Sequence, residues 1–251
     1  VSRAVFVSDI HISSAQDPKY QKFLRFLDAC IRQRVQDVFL VGDIFDLWIA
    51  DRAFFTRQYN EAVVKIRQMV TLGIRVHYFE GNHDLDLRVF WQHQVGASVY
   101  SDAAFFQINN MFVRVEHGDM MDPEDKGYLF LRRVLRSPII VFLGRYVPGF
   151  VVNWIGRKAS VMSRDYTTDV KTVTDEEVRA KILKHACDAF GETPFDVIVS
   201  GHVHVAEDSL EKVGLREFRN VNLGTWLKKP ILLDIREKSV ELRAIEEFLD
   251  E

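Results

Sequence analysis

Val38-Phe39-Leu40-Val41-Gly42-Asp43 is an apolar run that stops abruptly at a glycine and a carboxylate. A short run of this kind reads as a buried β-strand, and the glycine allows a sharp turn directly after it. The same grammar recurs on both sides. Ala4 to Val7 leads to Ser8 and then Asp9-Ile10-His11. Ile74 to Phe79 leads to Glu80 and then Gly81-Asn82-His83-Asp84. Met111 to Val115 leads to Glu116 and then His117-Gly118-Asp119, and Val197 to Val199 leads to Ser200 and then Gly201-His202-Val203-His204.

Helical patterns fill the gaps between these runs. Asp17-Pro18 reads as an N-cap with proline at the first helical position, followed by Tyr20, Phe23, Leu24, Leu27, Cys30 and Ile31 at helical spacing. Ala62, Val63, Ile66, Met69 and Val70 mark a second helix that stops before Gly73. Thr174 and Glu177 form a capping box for a third, running through Cys187. Asn109-Asn110 between Phe105 to Ile108 and Met111 to Val115 signals a hairpin. Val221 to Leu223, Ile231 to Ile235 and Val240 to Ile245 finish the chain as β. The fold expected is an α/β domain over residues 1–251, with two packed β-sheets flanked by helices.

Ligands collect at the carboxyl ends of strands in open α/β sheets. Five such ends carrying Asp, Asn or His therefore predict a metal centre built from Asp9, His11, Asp43, Asn82, His117, His202 and His204. In Asp-x-His and His-x-His, an extended backbone turns both side chains to one side. Mixed carboxylate, amide and imidazole donors suit Mn, Fe, Zn or Co better than Ca or Mg. Asp43 is the expected bridge, one ion on each oxygen, and is counted with His83 among the catalytic residues. Two ions about 3.5–4 Å apart can hold a phosphoryl group and generate hydroxide for in-line attack. Each fragment alone is usually a turn or a loop, whereas five together, each at a strand end, argue for a site. His77, His93 and His185 fall outside this grammar and read as packed or surface histidines. Asp46, Asp84 and Asp119 read as partners that orient ligands.

With 251 residues, 47% of them apolar, and a formal net charge of −3, the chain has an ordinary globular composition and no global pull toward nucleic acid. Two cysteines, Cys30 and Cys187, fit a reducing compartment. The opening residues lack a signal-peptide pattern, and no run of about 18 apolar residues is present. A cytoplasmic location is expected.

Residues 126–171 stand apart, with nine Lys or Arg against two acids, Asp165 and Asp169. Phe130, Leu135, Ile139, Phe142 and Trp154 are interleaved with those charges. Following His117 closely, this segment reads as a helical lid over the site. Its arginines suit a diphosphate, and its apolar residues suit an amphiphile at a membrane surface.

The order Asp-x-His, Gly-Asp-x-x-Asp, Gly-Asn-His-Asp, His-Gly-Asp and Gly-His-x-His, spread over residues 4 to about 235, resembles the calcineurin-like metallophosphoesterase superfamily. That resemblance implies a β-sandwich flanked by helices. One ion is then held by Asp9, His11, Asp43 and His204, the other by Asp43, Asn82, His117 and His202. His83 contacts the phosphate and protonates the leaving oxygen. The run Gly42-Asp43-Ile44-Phe45-Asp46-Leu47-Trp48-Ile49, with Tyr128 and the basic insertion, further resembles the UDP-2,3-diacylglucosamine pyrophosphatases of lipid A synthesis. By that likeness Asn82, His83, Tyr128, Arg157, Ser160, Ser163 and Arg164 lie on the substrate. Many members of that group have Arg where this chain has His83, which makes it a variant branch or a relative with another substrate. The implied activity is cleavage of the pyrophosphate of UDP-2,3-diacylglucosamine to 2,3-diacylglucosamine 1-phosphate and UMP. It would use two Mn²⁺ or other divalent transition metals, peripherally at the cytoplasmic face of the inner membrane and without nucleic acid. The alternatives are a general Mn-dependent phosphodiesterase or phosphatase for nucleotides or other phosphoesters, and a non-catalytic scaffold.

Overall fold

The structure, a computed structural model, describes residues 2–123, 126–137, 174–237 and 239–251. The first sheet has six strands among the described residues. Its centre is three parallel strands, β1 (Arg3–Val7), β2 (Asp37–Val41) and β4 (Arg75–Phe79), with β6 (Ser98–Tyr100) parallel at one edge. On the other side β12 (Ile231–Arg236) pairs antiparallel with β1, and β13 (Ser239–Ala244) antiparallel with β12. The second sheet also has a parallel centre, β8 (Met111–Val115), β9 (Val197–Ser200) and β11 (Arg216–Leu223). Antiparallel edges β7 (Ala104–Ile108) and β10 (Ala206–Val213) close it.

Alternation along β1 assigns the layers. Ala4 and Phe6 point into the space between the sheets, where they meet Val113 and Val115 of β8, Val197 and Val199 of β9, and Leu233 and Ile235 of β12. Val5 and Val7 point the other way, into the helical layer. That layer contains α1 (Pro18–Arg32), α2 (Ala53–Gln58), α3 (Asn60–Thr71) and a π-helical segment, Arg88–Val95. Asp17 caps α1 by accepting from the Lys19 amide, with proline in the first turn as the sequence indicated. α4 (Lys126–Leu135) follows β8, and α5 (Asp175–Glu192) covers the outer face of the second sheet through Ala186, Ala189 and Phe190 against Phe195, Ile198 and Phe218. The Thr174–Glu177 capping box of α5 is present on both sides. The resulting four layers, helix, sheet, sheet, helix, are those expected.

Several elements differ from the sequence reading. Residues 206–223 form a long hairpin, of which only Val221 to Leu223 reads as β, because β10 alternates charged residues on a half-exposed edge. Ile245 opens a short helix, α6 (Ile245–Leu249), rather than ending a strand, since Ile245, Phe248 and Leu249 bury together. A two-residue parallel pair, β3 (Trp48–Ile49) with β5 (Asp84–Leu85), ties the segment after Asp43 to the segment after Asn82. Of the expected lid, residues 126–135 are helical. Residues 138–173, with Arg157, Ser160, Ser163 and Arg164, lie outside the described residues.

Candidate metal centre

Strands β1, β2, β4, β8 and β9 all end on the same rim, and the residues just past each end converge. Asp9 and His11 lie beyond β1, Asp43 beyond β2, Asn82 and His83 beyond β4, His117 beyond β8, and His202 and His204 beyond β9. The loops are bonded to one another. The Asp9 amide donates to the Gly42 carbonyl at 3.1 Å, His11 N–H to Asp43 O at 3.0 Å, and Gly201 N–H to His117 O at 2.9 Å.

The backbone corrects the extended geometry expected for the two x-spaced pairs. Asp9, His11, Asp43, His202 and His204 all have positive φ, between 49° and 71°. Left-handed backbone costs an L-residue roughly 1–2 kcal/mol, and Asp and His tolerate it better than most. Five such residues side by side mean that the fold holds the chain coiled tightly around one point. The pairs still converge, through tight turns rather than through strand periodicity.

Two overlapping clusters result. In the first, His11 Nε2 stands 3.0 Å from His204 Nε2, and Asp9 Oδ1 lies 3.7 Å and 3.2 Å from those two nitrogens. In the second, Asp43 Oδ2 is 3.6 Å from His117 Nε2, while Asn82 Oδ1 is 3.3 Å from that nitrogen and 3.1 Å from His202 Nδ1. Asp43 joins them, its Oδ2 also lying 4.0 Å from His11 Nε2. Its other oxygen accepts the His83 amide at 2.9 Å. Oδ2 is the Asp43 oxygen that lies nearer both clusters.

These groups fit a divalent cation on structural grounds. Asp9 Oδ1 is buried and accepts no hydrogen bond, while Oδ2 takes the His202 amide at 2.8 Å and the Ser8 hydroxyl. Burial raises the Asp9 pKa, yet the His11 and His204 rings beside it more than offset this and hold it well below the usual range. Burial works against a proton on His11, but Asp46 and Asp9 push its pKa up to about 10. The pocket thus favours positive charge strongly, and a metal ion answers that field as a proton does. His202, by contrast, is pushed down to about 4 by burial and by His117, so its lone pair is available. A Cβ on Gly81 would collide with the Asp43 carboxylate, and one on Gly42, at φ +82°, with the His117 ring. Both glycines leave room that the donors fill.

The supporting residues have definite tasks. His117 Nδ1 donates to the Val41 carbonyl at 2.9 Å, which turns Nε2 to the cluster. Asp46 Oδ1 lies 3.6 Å from His11 Nδ1, as an orienting partner should. Asp84 instead accepts from the Ile44 amide at 2.8 Å and from Tyr78 Oη at 2.9 Å, holding the backbone after Asp43. Asp119 accepts from Tyr128 Oη at 2.9 Å and Arg132 Nε at 2.6 Å. Arg136 reaches the Ser101 and Gly81 carbonyls. Arg132 and Arg136, expected among the charges that hold a diphosphate, thus face protein acceptors. His77 bonds Asp37 and Tyr100, His185 bonds Glu116, and His93 is exposed, all away from the cluster. Sequence reasoning passed over Ser8, Lys19 and Thr225. Lys19 Nζ donates to the His11 carbonyl at 2.5 Å and Thr225 Oγ1 to that of Asp9 at 2.9 Å. Only the adjacency of Ser8 to Asp9 was a usable signal.

Residues 2–206 match the family described as calcineurin-like phosphoesterase. Among curated relatives, UDP-2,3-diacylglucosamine hydrolase of Pseudomonas paraeruginosa is 28% identical over 236 residues, covering 92% of this chain and 94% of that one. The protein of the same name from Pseudomonas syringae pv. tomato is 28% identical over 244 residues, covering 95% and 94%. With its family's residues gathered on one rim in a geometry that accepts a divalent cation, the chain belongs to the calcineurin-like phosphoesterase family and is a metal-dependent phosphoester hydrolase.

Proposed function

We propose that this chain cleaves the pyrophosphate bond of UDP-2,3-diacylglucosamine, releasing UMP and 2,3-diacylglucosamine 1-phosphate. The observation that supports it most is the pair of Asp/His clusters sharing Asp43 Oδ2, in a chain whose like-sized relatives carry that hydrolase name. Asp9, His11, Asp43 and His204 would hold one ion, and Asp43, Asn82, His117 and His202 the other, Mn²⁺ being the favoured metal. Bound ions would polarise the phosphoryl oxygens and acidify water for attack. The residues do the rest. Asp43 Oδ1 is fixed by the His83 amide, which sets the carboxylate's orientation, and Val41 and Asp46 orient His117 and His11. His83 supplies a proton at the leaving oxygen, its ring held by the Asp46 carbonyl.

Residues 126–171 form the lid in this reading, with Tyr128, Arg157, Ser160, Ser163 and Arg164 on the substrate. Phe130, 69% exposed on α4, offers apolar surface where acyl chains would enter. Among the described residues no helix is long and apolar enough to cross a membrane. Peripheral contact with the cytoplasmic face of the inner membrane is part of the proposal, motivated by the basic and apolar residues interleaved over 126–171. The test is incubation with Mn²⁺ and a panel of UDP-2,3-diacylglucosamine, a cyclic nucleotide and an aryl phosphodiester. UMP release far faster than hydrolysis of the other two is expected. Preference for either of the others would replace this reading with a general phosphodiesterase.

A further inference from the structure

Tyr128, Arg132 and Arg136 are spaced four residues apart, on or immediately after α4, and so share one face. That face touches the two loops carrying Asn82 and His117. Arg136 Nη2 donates to the Gly81 carbonyl at 3.2 Å and Nη1 to the Ser101 carbonyl at 3.0 Å, with Glu80 Oε2 3.5 Å from Nη1. Arg132 Nε and Tyr128 Oη both hold Asp119, two residues past His117, and Arg132 Nη2 reaches Ser101 O at 3.3 Å. Asp9 and His11 contact Ser8, Thr225 and Asp46, and they meet the other set through the His202 amide on Asp9 Oδ2 and through Asp43.

We propose that this face is a clamp that sets the ligand geometry of one ion position, that of Asp43, Asn82, His117 and His202, and that Arg132 and Arg136 are its positioning residues. The inference rests on the two-ion reading above. The Gly81–Asn82 peptide is enclosed on one side by the Asp43 carboxylate, against which even a Cβ at Gly81 does not fit. On the other side the Arg136 fork holds its carbonyl. Asn82 Oδ1 sits between His117 Nε2 and His202 Nδ1, so rotation of that peptide withdraws the amide from both rings. A planar guanidinium can hold two carbonyls in a fixed relation, which an ammonium cannot. This face of α4 and one half of the metal centre are therefore held as a unit, and the other half meets that unit only indirectly, through Asp43 and the Asp9–His202 bond.

The test is calorimetric titration of the metal-free protein with Mn²⁺, paired with hydrogen exchange of residues 79–86. Asn82→Ala identifies the binding step that belongs to the clamped set. Arg136→Met and Arg136→Lys should each weaken that step by about 10–100-fold, the usual cost of losing an outer partner of a metal ligand. The other step should weaken far less, and exchange across 79–86 should quicken before any metal is added. Arg133→Met, an exposed change on the same helix, should do neither. Two steps weakened equally, no step weakened, or Arg133→Met matching Arg136→Met would each overturn the clamp. Correct folding of the variants is checked by thermal melts, and Arg136→Lys, which keeps the charge, serves if Arg136→Met does not fold. Wild-type protein that shows the two steps yet hydrolyses no phosphoester would overturn the proposed function while leaving the clamp standing.

Discussion

His83 Nδ1 lies 2.9 Å from the carbonyl oxygen of Asp46. A carbonyl only accepts, so Nδ1 donates to it, and Nε2 is the nitrogen turned to the centre, 4.0 Å from Asp43 Oδ2. The ring is thus held at the edge of the centre by its far nitrogen. His83→Ala should lower kcat by about 10²–10⁴-fold, the range for a positioned acid or base, with bound metal retained. Metal analysis before and after the substitution decides it: an ion lost together with activity would make His83 a ligand, since His11, Asp43 and His83 also lie close enough to share one.

Asp43 Oδ2 is the carboxylate oxygen that lies nearer both clusters. Asp43→Asn keeps the shape, but the amide is a poorer donor to metal and places an N–H₂ or a single neutral oxygen at the shared point. Both ions should bind more weakly, and spin coupling between two Mn²⁺ should disappear from the electron paramagnetic resonance spectrum. A variant that retains coupled ions would show that the centre does not depend on Asp43.

Acyl chains should contribute much of the substrate affinity if residues 126–171 cover them. Each buried methylene contributes roughly 0.8 kcal/mol. With one headgroup and chains of increasing length, kcat/KM should rise steeply, and serine at Phe142 or Ile139 should flatten the rise. Equal turnover of a deacylated substrate would exclude lipid recognition.

The five ligand-bearing loops were legible because each follows an apolar run whose end is marked by Ser, Gly or Glu, so strand and donor are read together. The conformation of those donors was not legible. Asp-x-His and His-x-His look extended in sequence, and only the tertiary packing of Asp9 under Gly42, His202 and Thr225 forces them into left-handed turns. Neither were α2 and the π-helical segment, whose aromatic residues Phe55, Phe90 and Trp91 pack around Trp48 without a clear period. The roles of Arg132 and Arg136 were hidden for a different reason. A basic residue in a basic segment reads as solvent- or ligand-facing, and its acceptors, backbone carbonyls at 81 and 101, have no side-chain signature.

Asp234, at the middle of β12, is buried and held by Arg3, Arg236 and Arg243. Burial raises its pKa, but hydrogen bonds from Arg3 and Arg236 outweigh that and hold it below 3.8. A carboxylate depressed in the folded state stabilises above its unfolded pKa, and that stability is lost as pH falls through the lower folded value. Asp234→Asn should therefore cost about 1–3 kcal/mol at neutral pH, and the gap between the two proteins should begin to narrow below about pH 4, closing as pH falls through the folded value. Denaturant melts at pH 7 and pH 3 test this. A constant gap would mean that the cost is steric and not electrostatic.

Gly81 and Gly73 make a controlled pair. A Cβ at Gly73 meets nothing within 4 Å, and its difficulty is backbone alone, at φ +84°. Gly73→Ala should cost roughly 1–2 kcal/mol of stability with metal content and turnover per folded molecule unchanged. At Gly81 the position is reversed. Its φ is not left-handed, but a Cβ would overlap Asp43 Oδ1 and stand 2.7 Å from the Asp43 amide nitrogen. Asp43 cannot yield without losing its bond from the His83 amide and swinging Oδ2 away from His117. Gly81→Ala should thus leave far-ultraviolet circular dichroism intact while abolishing bound metal and hydrolysis. Metal content and melting temperature measured on both variants separate the two effects. If Gly81→Ala retains both ions, the carboxylate can be repositioned at little cost, and the tight seating of Asp43 against this glycine is not what holds the centre together.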